Sequence, residues 1–284
     1  MIISMPTLVL VHIGEHFPEY INDCILKLQS VTSIPIHILA SESNLKKISD
    51  INSVTKIDLK SIPPTKKTEG FEKRSKLDSS FRGGFWKFAM MRFFYIYDYV
   101  VWRGLTDIFH IENDNLVYMD FLPFLEHFQK KQMWCIMDSK TRCIPSFLYF
   151  KDQEIISKLL STCIQSCSES INDMFALGKF RNDNKDQVGL LPIIGSYADP
   201  IDAIFMEHAE TFKCVFDAAA VGQYIGGIDT RNTTEPTKSI GFINETCVIK
   251  CDKAIVEWKN KKPYLNGLPL VNLHIHSKDL KLWM

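Results

Sequence analysis

Near its start the chain carries an uninterrupted apolar run, Thr7-Leu-Val-Leu-Val-His-Ile13, which stops at Gly14. A run without polar alternation belongs to a strand covered on both faces, the usual environment of a parallel sheet. Pro18 to Gln29 follows with Ile21, Ile25 and Leu28 on one helical stripe. Ile34 to Ala40 reads as a second buried strand, Leu45 to Ile51 as a short helix, and Val54 to Leu59 as a third strand. Strand, helix, strand, helix, strand in this order predicts parallel strands joined by right-handed crossovers.

Further along, Ile62 to Ser80 holds two prolines, a glycine and many charges, and reads as an exposed loop near a site mouth. Phe85 to Val101 is dense in aromatics at helical spacing and reads as a core helix. Ile108 to Glu112 is a strand, Met119 to Lys130 a helix, Gln132 to Met137 and Ser146 to Lys151 strands, and Asp152 to Ser168 a helix. Beyond a helix near Ile171 to Phe180 the pattern loosens. Phe212 to Tyr224 leads to Gly226-Gly227, Asn232 to Lys238 is turn-like, and Thr246 to Cys251 with Ala254 to Trp258 suggests an antiparallel hairpin. Leu270 to Ile275 is a last strand. The expectation is one α/β unit, a single mixed and mostly parallel sheet flanked by helices.

Lys and Arg total 33, as do Asp and Glu, giving a formal net charge of 0 over 284 residues. That balance excludes a dedicated nucleic-acid binder, whose affinity rests on cations neutralising phosphates. The eight cysteines lack zinc-finger spacing, and a chain of this size builds a core without disulfides, so reduced and mostly buried thiols are expected. The first apolar run is too short to span a membrane and has no basic lead, so a soluble cytoplasmic protein is expected. Gly-x-x-x-x-Gly-Lys-Ser/Thr, Gly-x-Gly-x-x-Gly and Gly-x-Ser-x-Gly are all missing, against P-loop, dinucleotide and hydrolase-elbow chemistry.

Two short stretches carry candidate chemistry. In His110-Ile-Glu112-Asn-Asp114-Asn, two carboxylates stand at i and i+2 at the end of an apolar strand, pointing the same way if extended. Such oxygens suit Mg²⁺ or Mn²⁺ and leave positions free for phosphate oxygens. In Asn272-Leu-His274-Ile-His276-Ser-Lys278, an extended chain sets two imidazoles and an ammonium on one face. Each stretch alone is also an ordinary solvated turn or surface strand; together they supply the acids, imidazole and cation that chemistry on a nucleotide diphosphate requires.

With these residues the chain resembles the nucleotide-sugar-dependent glycosyltransferases of the GT-A fold. The resemblance rests on element order over most of the chain, on Glu112-Asn113-Asp114 as an Asp-x-Asp-type motif, and on the late His-x-His-Ser-Lys. It implies a Rossmann-like nucleotide-sugar-binding half over about residues 1–118 and an acceptor-binding half over about 119–284. It implies Mn²⁺ or Mg²⁺ held by Glu112 and Asp114 with His274 or His276, and Lys278 on the diphosphate. The expected donor is a nucleotide diphosphate-sugar, a UDP-sugar first, and the acceptor a hydroxyl of a glycan, a protein or a small molecule. Glu replaces the first Asp of the motif, and the glycine-containing stretch that usually separates the late histidine from the lysine is missing.

The same resemblance places His12 and Gly14 beside the nucleoside, Arg92 on the donor, and Asp173 on the donor sugar or acceptor. Asp217 is the candidate base should the reaction invert, although Asp217-Ala-Ala-Ala equally suits a helix cap. Asp229, Arg231 and Glu245 are further acceptor-side candidates. A nucleotidyltransferase making a nucleotide sugar, or a non-catalytic α/β nucleotide-binding module, are the alternatives the sequence leaves open.

Overall fold

The computed structural model describes residues 5–49, 54–195, 200–229 and 247–284. The first half runs β1 (Thr7–Val11), α1 (Tyr20–Val31), β2 (Ile36–Ala40), α2 (Glu42–Leu45), β3 (Val54–Asp58), α3 (Lys66–Arg74), α4 (Phe85–Arg103), β4 (Ile108–Ile111) and β5 (Asn115–Val117). It continues with α5 (Leu125–Phe128), β6 (Met133–Met137), β7 (Cys143–Phe150), α6 (Gln153–Ser168), α7 (Asp173–Asp183) and β8 (Val188–Leu190). The last part holds α8 (Ala209–Phe212), α9 (Val221–Gly226), β9 (Val256–Lys259), β10 (Lys262–Leu265), β11 (Leu268–Pro269) and β12 (Asn272–His274).

Seven strands form the main sheet in the order β3-β2-β1-β4-β7-β6-β8. All neighbours pair in parallel except those of β7, which runs against both β4 and β6. The mixed, mostly parallel α/β sheet expected from the sequence is therefore the one observed. β1, β4, β6 and β7 are buried along their whole length, as continuous apolar runs between covering layers require. Chain order reverses at β1, which lies between β2 and β4. In open α/β sheets the crevice at the carboxyl ends of such strands is where ligands bind.

A small second ladder decides where the site forms. β5 pairs antiparallel with β12, placing Asn115 opposite His274 and Leu116 opposite Leu273. Buried amides lock this register. Asn272 donates to the Asn115 side-chain oxygen (2.9 Å), and Asn115 donates to the Ser146 carbonyl of β7 (2.7 Å). The second ladder is thereby tied to the main sheet.

Several expectations are corrected. The stretch expected as an exposed loop, Ile62 to Ser80, contains helix α3. Its Phe71 is buried against Phe94 (ring centroids 4.5 Å), and its Thr68 hydroxyl donates to buried Asp98 (2.6 Å). One buried aromatic among charges anchors a short helix that composition alone conceals. The Met119–Lys130 helix shrinks to a 3₁₀ turn (Leu122–Phe124) and α5. The short helix expected over Leu45 to Ile51 forms earlier, over Glu42–Leu45. Phe212 to Tyr224 is split by a loop between α8 and α9.

The expected hairpin partner of Ala254–Trp258 is also wrong. β9 pairs with β10 across Asn260-Lys261, both with positive φ (52° and 61°), the conformation of a tight hairpin turn. Asn232–Lys238, Arg231 and Glu245 lie outside the described residues. The eight cysteines are all unpaired and all but Cys251 are buried.

Candidate functional site

The carboxyl end of β4 does not continue as a strand. Asn115 N–H donates to the Glu112 carbonyl (3.1 Å), and the Asn113 amide donates to the Val11 carbonyl at the end of β1 (2.8 Å). The two acids therefore sit in a turn fastened between β1 and β4, and their common direction comes from that turn rather than from an extended chain. β12 then delivers the imidazole: Ile275 N–H donates to the Asp114 carbonyl (2.9 Å), and His274 Nε2 lies 3.0 Å from Asp114 Oδ2 and 3.8 Å from Glu112 Oε2. Ligand atoms of Glu112, Asp114 and His274 all lie within 4.8 Å of one another.

His276 and Lys278 part company after β12. The chain turns at His276-Ser277, with Lys278 N–H donating to the Ile275 carbonyl (3.0 Å) and Lys278 itself at φ 73°. This left-handed turn swings the Lys278 ammonium onto Asp114 Oδ2. His276 instead accepts the Asp229 N–H at Nδ1 (3.2 Å), and its ring packs against that of His274 (centroids 5.8 Å). The shared face expected from an extended strand is thus replaced by a turn that brings His274 and Lys278 to the acids and aims His276 at another loop.

Charges in the site are matched by burial and pairing. Arg92 of α4 bridges Glu112 and Asp173, the latter at 2.7 Å. Burial alone would raise the Glu112 carboxyl; Arg92, and then His274, outweigh it and hold it below its ordinary value. Asp114 is likewise pushed up by burial but held well below its ordinary value by His274 and Lys278. Burial raises Asp173, with Arg92 opposing and Glu112 assisting. His274, against the pull of burial, is raised by Asp114. His276 is lowered to about 4, first by burial and then by the neighbouring Lys278 and His274.

Two carboxylates and an imidazole at this spacing match the ligand preference of a hard divalent ion. His274 turns Nε2 toward both carboxylates, and its Nδ1 is buried without a hydrogen-bond partner among the described residues. The donor set therefore fits Mn²⁺ or Mg²⁺.

Asp217 stands elsewhere. It is fully buried, and its carboxylate accepts four main-chain N–H groups, from Ala220, Val221, Gly222 and His274, each at 2.9 Å. An oxygen so engaged has no free lone pair directed at a substrate, so of the two readings the sequence leaves open, base or cap, the geometry is that of a cap, which fixes the loop before α9 and the main chain of His274. Gly222 makes the same junction possible: a Cβ there would lie 2.0 Å from the His274 carbonyl oxygen.

At the end of β1, His12 hydrogen-bonds through Nε2 to the His16 carbonyl (2.8 Å) and is lowered by burial. Gly14 has φ 137°, a conformation side chains rarely adopt, and open space where a Cβ would stand. Its carbonyl accepts from the Asn44 amide (2.8 Å). Asp229, besides its N–H to His276, pairs with Arg82 (2.9 Å).

Asn113, Asn115 and Asn272 escape a reading based on charged groups. Their signal is present all the same: asparagine is disfavoured in strands, so Asn272 between Val271 and Leu273 marks a buried amide with a fixed partner.

No family model matches the chain, and no curated relative matches it. Solved structures with a similar fold include glycosyltransferases and a cytidylyltransferase from Leptospira borgpetersenii serovar Hardjo-bovis, the latter similar over 66% of this chain and 76% of its own, at 10% identity and TM-score 0.41. Mouse xyloside xylosyltransferase 1, apo form, is similar over 70% of this chain and 93% of its own, at 10% identity and TM-score 0.46. The galactosyltransferase LgtC, solved with donor and acceptor sugar analogues, is similar over 71% of this chain and 84% of its own, at 12% identity and TM-score 0.46. The glycosyltransferase GlyE of Streptococcus pneumoniae TIGR4 is similar over 66% of this chain and 45% of its own, at 15% identity and TM-score 0.43.

Proposed function

We propose that the protein is a metal-dependent glycosyltransferase of GT-A type, moving a sugar from a nucleotide diphosphate-sugar, a UDP-sugar first, to a hydroxyl acceptor. The observation that carries this reading is the meeting of Glu112, Asp114 and His274 at the carboxyl end of β4, beside the point where strand order reverses. In this reading Glu112, Asp114 and His274 would hold Mn²⁺ or Mg²⁺. When bound, such an ion offsets the charge that develops on a departing diphosphate.

The chain's own side chains divide the remaining work. Lys278 brings a second cation to the same mouth and neutralises phosphate charge. Arg92 fixes the direction of Glu112 through their ion pair and presents Asp173 to the donor sugar. His12 and Gly14, at the end of β1, border the nucleoside, where the missing Cβ leaves room for a close approach. Asp217 positions His274 through its main chain, and His276 steadies the Asp229 loop.

Thermal-shift measurements with nucleoside diphosphates, with and without Mn²⁺, test the reading. A stabilisation that requires both partners supports it, and UDP is expected to give the largest shift. Incubation with donor and acceptor should then release free nucleoside diphosphate. Release of pyrophosphate from a nucleoside triphosphate and a sugar phosphate would assign a nucleotidyltransferase instead.

A further inference from the structure

Away from the site, large apolar side chains are left in water on neighbouring elements. Ile255, Trp258, Leu282 and Met284 are exposed by 65, 41, 75 and 37%, and Leu26 of α1 by 45%. Ring contacts join the elements that carry them. Trp258 of β9 stacks on Trp283 (centroids 6.0 Å) and meets Tyr118 edge-on (5.8 Å), and the Lys27 ammonium of α1 lies 4.6 Å from the Tyr118 ring centre. Tyr118 in turn donates its hydroxyl to the Trp283 carbonyl (2.6 Å).

Lysines crowd the same elements. Lys253, Lys259, Lys261, Lys262 and Lys281 are all exposed. These five lysines stand among three acids, Asp252, Glu257 and Asp279, a net +2 in a chain whose total is 0. Glu257 is taken up by Lys259 (3.1 Å). Lys27 is lowered first by partial burial and then by Lys261 and Lys262, so like charges face one another across α1 and the hairpin.

Exposed apolar groups favour leaving water, and gathered cations favour an anionic counterpart. A nucleic acid would satisfy the lysines and leave Ile255 and Leu282 wet. An anionic bilayer takes both: apolar side chains at the acyl boundary, tryptophan at headgroup depth, and lysines on the charged headgroups. No helix among the described residues is long and apolar enough to cross a membrane, which leaves a surface contact as the mode. We propose that the face built from α1, the β9–β10 hairpin and the turn Leu280–Trp283 docks peripherally on an anionic phospholipid bilayer. This face is distinct from the candidate site, and the proposal stands whether or not sugar transfer is the reaction.

Co-sedimentation of the full chain with vesicles of phosphatidylcholine alone, and of phosphatidylcholine with phosphatidylserine, tests it. The protein should pellet with the anionic vesicles at low salt, stay in solution with the neutral ones, and be released by high salt. Lys261→Gln with Lys262→Gln should weaken partitioning by at least about tenfold, and Leu282→Ser should weaken it by roughly tenfold. All three positions are exposed, so an unchanged melting temperature identifies the loss as one of docking. Equal pelleting with both vesicle types, no pelleting with either, or binding unmoved by these variants would overturn the proposal. So would a dimer of the wild-type chain that Leu282→Ser dissolves, since that would assign the face to a second copy.

Discussion

Asp217 and Asp114 show how one residue type can serve packing or chemistry according to its surroundings. A carboxylate with four main-chain donors is a structural cap, whereas Asp114, a few ångströms from an imidazole and an ammonium, is the proposed ligand. Asp217→Asn should lower stability by about 2–3 kcal/mol, because an amide cannot accept from donors it now faces with its own N–H. It should weaken Mn²⁺-dependent nucleotide binding through the displaced His274. A catalytic base would show the opposite pattern, with stability and nucleotide binding kept and turnover lost. Calorimetry and turnover on the same variant separate the two. The sequence showed the acids, the histidines and Lys278 as chemistry-bearing types, and it showed Asp217 as either cap or base. It could not rank His274 over His276, because that choice is made by the turn at His276-Ser277 and the left-handed Lys278, which no alternation of side chains reports.

At the level of elements, the site depends on β5 and β12 keeping register, and on α9 lying close against β12. Gly222 is the narrowest point of that contact. Gly222→Ala would force a methyl group to within 2.0 Å of the His274 carbonyl, so α9 or β12 must shift. The expected cost is about 1–3 kcal/mol, with a loss of metal-dependent binding larger than the stability loss alone explains. Unaltered binding and an unaltered melting temperature in this variant would show that the junction does not hold the site. Long apolar runs made β1, β2, β4, β6 and β7 legible, and Phe85 to Val101 announced α4, because burial on all sides leaves a strong pattern. α3 was hidden because only Thr68 and Phe71 are buried among charges. The β9–β10 turn was hidden because Asn260-Lys261 carries no glycine to advertise its positive φ. β12 was legible as an apolar strand, but its partner was not: β5 lies some hundred and fifty residues earlier, a separation over which sequence pattern says nothing about pairing.

For the whole molecule, part of the acid sensitivity should follow from a histidine outside the candidate site. Both ring nitrogens of His127 are buried without a partner among the described residues, and the ring is enclosed by Trp134 (5.0 Å), His208 (5.5 Å) and Phe212 (4.7 Å). Burial, with His208 and Lys130 adding to it, lowers its pKa from 6.5 to about 4. Between these values the unfolded chain binds a proton that the folded one refuses, so stability falls as pH drops through that window and levels off below it. His127→Phe should shrink the fall in melting temperature between pH 7 and pH 5; an unchanged slope would place the sensitivity elsewhere. At the same scale, the fold brings Asp114 and His274, 160 positions apart in the chain, to within 3.0 Å. Electron paramagnetic resonance of Mn²⁺, titrated into the protein in the presence of UDP, reports whether that meeting holds an ion. One bound Mn²⁺ is expected in the wild-type chain and in His276→Ala, with the signal of bound ion lost in both Asp114→Asn and His274→Ala. Absence of bound Mn²⁺ in the wild-type chain, or full binding in His274→Ala, would contradict a shared metal site.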